Sequence, residues 1–185
     1  MKTKTFRRVS LLSLSVLFCL VLQAGPAFGR DQRVAAATIR TLNNEISDAN
    51  ERQDLPAALK AAEKTVQVAK TEFGDKSLEA ASAMNNLANL YLFGNRASEA
   101  EGLFKETVLI YLEKKDKKGT EMADLYVNLG IAYAAQNKYS AALKILEKAL
   151  IIRREKLGPD NAATKKVEEM MGDFYKLAYP HSEKI

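Results

Sequence analysis

The sequence predicts an all-α chain of stacked two-helix repeats, and three observations carry that prediction. Shifted on itself by 42 residues, the chain keeps many columns in register. Within each unit, apolar residues recur at three- and four-residue steps, the spacing of one helix face and not the alternation of a strand. Turn-forming residues interrupt these stripes at matching places in successive units.

The register is specific. Leu87, Ala88 and Tyr91 align with Leu129, Gly130 and Tyr133, and a further step reaches Met171, Gly172 and Tyr175. Ala58, Ala100 and Ala142 form a second set, followed by Ala62, Phe104 and Leu146 and then by Thr65, Thr107 and Ala149. Asn44, Asn86 and Asn128 fall in one column, and Gly74 and Gly158 stand two periods apart.

Residues 1–29 read as a signal peptide. Lys2, Lys4, Arg7 and Arg8 precede an apolar run from Val9 to Leu22 and a small-residue stretch ending in Ala27-Phe28-Gly29. The run is 14 residues long, shorter than the roughly 20 that span a bilayer. Cleavage is expected after Gly29, leaving no stable membrane span. Cys19 lies inside the apolar run behind Phe18, which argues against lipidation. Without residues 1–29 the chain keeps 24 basic against 23 acidic residues, a net charge of +1. The basic character of the whole chain therefore gives no support for nucleic-acid binding. The remaining chain has no cysteine, so packing alone must hold it in an oxidising compartment.

Each unit reads as two helices. The first opens with a helix over about Asp31 to Asn50, turns at Arg52-Gln53-Asp54, and resumes with Pro56, whose missing N–H costs nothing at a helix start. In the second, Met84, Leu87, Ala88, Leu90 and Tyr91 form one stripe, Gly94-Asn95 breaks it, and Ala100, Leu103, Phe104, Val108 and Tyr111 form the next. The third repeats this plan around a turn at Asn137-Lys138. Thr120 and Asp160 are the expected N-caps of later helices. Ala88, Gly130 and Gly172 are expected where paired helices cross, opposite Ala58, Ala100 and Ala142, with Tyr91, Tyr133 and Tyr175 filling the space toward the next pair. Lys114–Lys118 reads as a solvated loop.

Little in the chain suggests chemistry. The sole histidine, His181, falls in the predicted tail, so neither a His/Cys metal site nor a Ser/His pair has support. No phosphate-binding glycine loop is present. Glu99, Glu101 and Glu106 read as ordinary solvation of helix faces. The expectation is a non-enzyme with no catalytic residue, no metal and no cofactor.

Leu129-Gly130-x-x-Tyr133 and Ala100-x-x-x-Phe104 resemble the two halves of the tetratricopeptide repeat signature. The 42-residue period, with Asn86-Leu87-Ala88 and Leu157-Gly158-Pro159-Asp160, is similar to the kinesin light chain variety of that family. The resemblance covers roughly residues 39–178 and implies a right-handed superhelical solenoid. It divides the domain at 30–178 into repeats of about 39–80, 81–122 and 123–164, a capping helix at 165–178, and a flexible tail at 179–185. Glu45 and Ile46 depart from the motif, which marks the first helix as a degenerate N-terminal cap.

The resemblance further implies that the first helix of each unit lines a concave groove. Asn43, Asn44 and Ser47 would face it from the first unit, and Ser82, Asn85, Asn86, Asn89, Leu92 and Phe93 from the second. Asp124, Val127, Asn128, Ile131, Ala134 and Ala135 would follow from the third. A side-chain amide both donates and accepts, so the column of Asn44, Asn86 and Asn128 suits the backbone of an extended peptide. The competing reading is that these amides bridge neighbouring helices. Asp124 and Asn128 stand where carboxylate-clamping relatives carry Lys or Arg, which argues against a clamp, whereas Lys165 and Lys166 leave room for an acidic partner at the far end. The functional expectation is an exported, periplasmic or secreted module that binds a protein or peptide in its groove. A self-associating or membrane-tethered structural subunit of an envelope assembly is the alternative.

Overall fold

The computed structural model describes residues 12–114 and 119–180, with side chains from Asp31 onward. Among the described residues it contains seven helices and no strand: α1 (Leu12–Glu51), α2 (Leu55–Phe73), α3 (Leu78–Phe93), α4 (Ala97–Lys114), α5 (Thr120–Ala134), α6 (Tyr139–Leu157) and α7 (Ala162–Ala178). Each helix packs mainly on its neighbours in the chain, and α3 also touches α5. This is a solenoid, in which burial comes from stacking one pair on the next.

The columns found by self-alignment are the core. Ala58, Ala100 and Ala142 on α2, α4 and α6 are fully buried, as are Ala62, Phe104 and Leu146 one turn on, and Thr65, Thr107 and Ala149 after those. Opposite them, Leu87, Ala88, Leu129 and Gly130 are buried on α3 and α5. The two threonines of this column satisfy their hydroxyls on backbone: Thr65 donates to Ala61 O at 2.9 Å, and Thr107 reaches across to Ala81 O on α3 at 3.4 Å.

The turns repeat as faithfully as the core. Gln53, Asn95 and Asn137 have φ of 58°, 59° and 60°, the left-handed conformation, at one position of the repeat. In each turn the following N–H closes back five residues: Asp54 to Ala49 O (2.8 Å), Arg96 to Tyr91 O (2.7 Å) and Lys138 to Tyr133 O (2.9 Å). This is the Schellman closure, which satisfies carbonyls the helix end leaves open. Gly94 itself is not the left-handed residue; its φ is −81°. Between repeats, Gly74 (φ 97°, ψ 152°) and Gly158 (φ 86°, ψ 162°) take a conformation open essentially to glycine alone.

Several expectations are corrected. Helix α1 is already present at Leu12, well before Asp31, and runs without a break past Gly29. The side chains of the apolar start lie outside the described residues, as do residues 115–118 of the lysine-rich loop and His181. Thr120 is not an N-cap: Gly119 holds that place with no side-chain bond, and Thr120 is the first residue of α5. Asp160 is not one either. Asn161 caps α7 by accepting from Ala163 N at 2.9 Å, while Asp160 pairs with Lys165 at 3.1 Å.

The terminal helix departs furthest from the repeat. Gly172 does not mark a helix crossing, since a Cβ there would meet nothing within 4 Å. Tyr175 is exposed and stacks on Tyr179, with ring centroids 4.9 Å apart. Only Thr164 and Val167 are fully buried on α7, and the helix is otherwise tied down by Arg154–Glu168 (2.7 Å) and by Arg153 donating to Ala163 O (2.7 Å).

Candidate interaction face

The residues expected to line a groove lie on α1, α3 and α5, the first helices of the three units, and they do not play equal parts. Ser82, Asn86 and Asn89 on α3 are exposed, as are Asn43, Asn44 and Ser47 on α1. Val127, Asn128 and Ile131 on α5 are half-buried, and Val127 packs against the core. Asp124 is tied to Arg153 of α6 at 2.6 Å.

Two clefts open between α1 and α3. The first, of about 330 Å³, is lined by the apolar Ala36, Ile39, Leu78 and Ala83, by buried Thr65, and by Asn43, Ser82, Asn86 and Glu79. The second, of about 470 Å³, is lined by Asn43, Ser47, Asn50, Asn86 and Asn89 around Ile46 and Leu90. Asn43 and Asn86 belong to both clefts, so the two form one groove with these amides at its centre. Asn44 lines neither. Its neighbour Asn43 takes the place that the column of Asn44, Asn86 and Asn128 led one to expect for it.

The next seam differs. Asn128 Nδ2 donates to Asn85 Oδ1 at 3.2 Å, joining α5 to α3. Asn85 and Asn128 are the counterparts of Asn43 and Asn86 one repeat earlier. One amide pair is spent on bridging helices, and the other faces the groove. The bridging role is thus seen at the α3–α5 seam, while at the α1–α3 seam the amides are left lining a cleft.

Away from the groove, Glu101 is more than surface solvation. Its carboxylate, 12% exposed, accepts from Lys105 on its own helix, from Lys138 Nζ at 2.9 Å and from Gln136 Nε2 at 2.8 Å. Partial burial pushes its pKa up, but the three hydrogen bonds outweigh that and hold it at about 2. The group links α4 to the turn before α6. The tyrosine column serves the same stacking: Tyr91 accepts the Arg96 guanidinium over its ring at 4.1 Å, its hydroxyl donates to Glu63 at 3.3 Å, and Tyr133 carries Lys105 and Lys138 within 5.5 and 5.9 Å of its centroid. Among the described residues no cluster of His, Cys, Asp and Glu is placed to hold a metal ion, and no helix is long and apolar enough to cross a membrane.

Comparison with known proteins agrees with this geometry. Tetratricopeptide repeat profiles match residues 37–113 and residues 122–163, together well over half of the chain. The chain belongs to the tetratricopeptide repeat family. Its repeats are those of a protein-interaction module, in a family of scaffolds more than of catalysts. No curated protein matches the sequence. Among solved structures, the nearly identical TPR-like repeats of a kinesin light chain homologue from Podosopora anserina superpose with a TM-score of 0.70 at 16% identity, over 76% of this chain and 66% of that one. BtubC (BKLC) from P. vanneervenii gives 0.66 at 22% identity, over 72% of this chain and 53% of that one. The TPR2B domain of yeast Sti1, solved in complex with pHsp70, gives 0.55 at 18% identity, over 78% of this chain and 99% of that one. This tetratricopeptide repeat chain thus spans about two-thirds and about half of the first two proteins, and at these identities the likeness is one of fold.

The sequence alone missed Asn50 and the apolar lining of the first cleft, Ile39 and Leu78. It also missed that Asn43 and Asn86 line the same clefts. The available signal was an offset of 43 residues, one more than the repeat, which recurs in Asn85 and Asn128.

Proposed function

We propose that this protein is an exported interaction module that holds a protein or peptide partner in the groove between α1 and α3. The observation that carries the reading is the exposed pair Asn43 and Asn86, shared by two adjoining clefts. Concave sites with apolar walls and a few convergent polar groups are where proteins take ligands. Amides in the lining suit a peptide backbone because each offers both a donor and an acceptor. Export rests on the basic, apolar and small-residue order of residues 1–29, and places the partner in the periplasm or outside the cell.

The test is capture of partners from the native envelope by the wild-type protein and by an Asn43→Ala/Asn86→Ala variant. A partner held by the wild type and lost from a variant with the same melting temperature supports the reading. Equal capture by both places the contact elsewhere. N-terminal sequencing of the exported protein should begin at Arg30; a chain beginning at Met1 in the membrane fraction would overturn the cleavage.

A further inference from the structure

Building on that reading of the groove, we infer that the segment it takes is an uncharged extended peptide that seats one apolar side chain between α1 and α3. Three observations converge on this. The first cleft has the aliphatic residues Ala36, Ile39, Leu78 and Ala83 among its lining, and its volume of about 330 Å³ is ample for a large apolar side chain. The polar groups of the same lining, Asn43, Ser82 and Asn86, are available to the backbone of such a segment. The second cleft continues the path with Asn50 and Asn89, and no charged residue among those described lines it.

The charge pattern narrows the partner. Among the described residues the only ionisable group lining the two clefts is Glu79, in the first. An acidic segment would meet that carboxylate with no cation to offset it. A basic segment would find one exposed carboxylate, which is worth little in water. Transfer of a charged side chain among the aliphatic residues of the first cleft is strongly disfavoured. What remains is recognition by backbone hydrogen bonds and one buried apolar side chain, with affinity nearly indifferent to ionic strength.

The seam also sets where reading stops. At the next seam the counterparts of Asn43 and Asn86 are already bonded to each other, Asn128 donating to Asn85, and in the third unit Val127 occupies the position equivalent to Asn43. The segment is therefore read at the α1–α3 seam.

A displayed random-peptide library selected on the immobilised full chain tests this directly. Enriched sequences should share a stretch without Asp, Glu, Lys or Arg around one large apolar residue. A synthetic peptide of the winning sequence should bind with less than a twofold change in Kd between 20 and 500 mM NaCl, values chosen to span the screening range. Ala36→Phe, at an exposed position lining the first cleft, should weaken it at least tenfold, as should Asn43→Ala/Asn86→Ala, while Asn128→Ala should leave Kd unchanged. A charged consensus whose affinity falls steeply with salt, yet still depends on Asn43 and Asn86, would overturn the neutral segment and keep the groove. Peptides indifferent to all these substitutions, or no enrichment over the Ala36→Phe variant, would overturn the groove as well.

Discussion

Gly130 on α5 and Leu146 on α6 touch so closely that a Cβ on residue 130 would stand 2.9 Å from both Cγ and Cδ2 of Leu146. Leu146 is itself fully buried, so it has nowhere to retreat. Gly130→Leu should therefore rank among the most damaging substitutions, with overpacking of about 1–3 kcal/mol or more. Chemical denaturation reads the loss, and Leu146→Ala in the same chain should restore part of it. An unchanged midpoint for Gly130→Leu would mean that the crossing lies elsewhere.

The equivalent glycine of the last helix should behave in the opposite sense. Gly172 sits within α7 with open space where a Cβ would go. Gly172→Ala should stabilise the chain by roughly 0.5–1 kcal/mol, since alanine loses less conformational freedom in a helix. A destabilised variant would show that something packs there.

The carboxylate of Glu101 makes stability depend on pH. Its folded pKa of about 2 lies below the ordinary value of 4.5, so its contribution is complete above pH 4.5 and is lost as pH falls toward 2. From that interval the contribution is at most about 3.4 kcal/mol. Urea titrations of wild type and Glu101→Gln at pH 6 and pH 2.5 should show a difference between the two proteins that shrinks at the lower pH. A constant difference would separate Glu101 from the acid sensitivity of the fold.

The two asparagine seams predict different costs. Asn128→Ala removes a half-buried hydrogen bond and leaves Asn85 without that donor, so it should lower stability by about 0.5–1.5 kcal/mol. Asn86→Ala removes an exposed amide and should change stability by less than about 0.5 kcal/mol. Thermal melts of the two single variants, side by side, check the assignment. The reverse order would exchange the roles of the two seams.

The packing was legible because it repeats. A position buried in one unit is buried in the next, so Ala58, Ala100 and Ala142 revealed themselves as a column without any knowledge of what they touched. The caps were less so: Asp160 and Asn161 are both good N-cap residues, and only the backbone path after Gly158 selects the second. The groove was harder for a geometric reason. Adjacent helices meet across columns, with Asn43 beside Asn86 and Asn85 bonded to Asn128, whereas self-alignment displays each column separately. One residue along a helix is a rotation of 100°, enough to carry Asn44 away from the groove and bring Asn43 into it. The departures on α7 follow from context, since among the described residues no second helix covers Gly172 and Tyr175.

That helices lean almost wholly on their neighbours in the chain has a consequence for how the molecule comes apart. Cooperativity in such a stack is passed along nearest-neighbour interfaces and need not extend over the whole domain. With only Thr164 and Val167 fully buried on it, α7 can open while the middle pairs remain closed, as weakly anchored elements do in local unfolding. The groove between α1 and α3 lies at the other end of the stack, so loss of the last helix would leave its shape untouched.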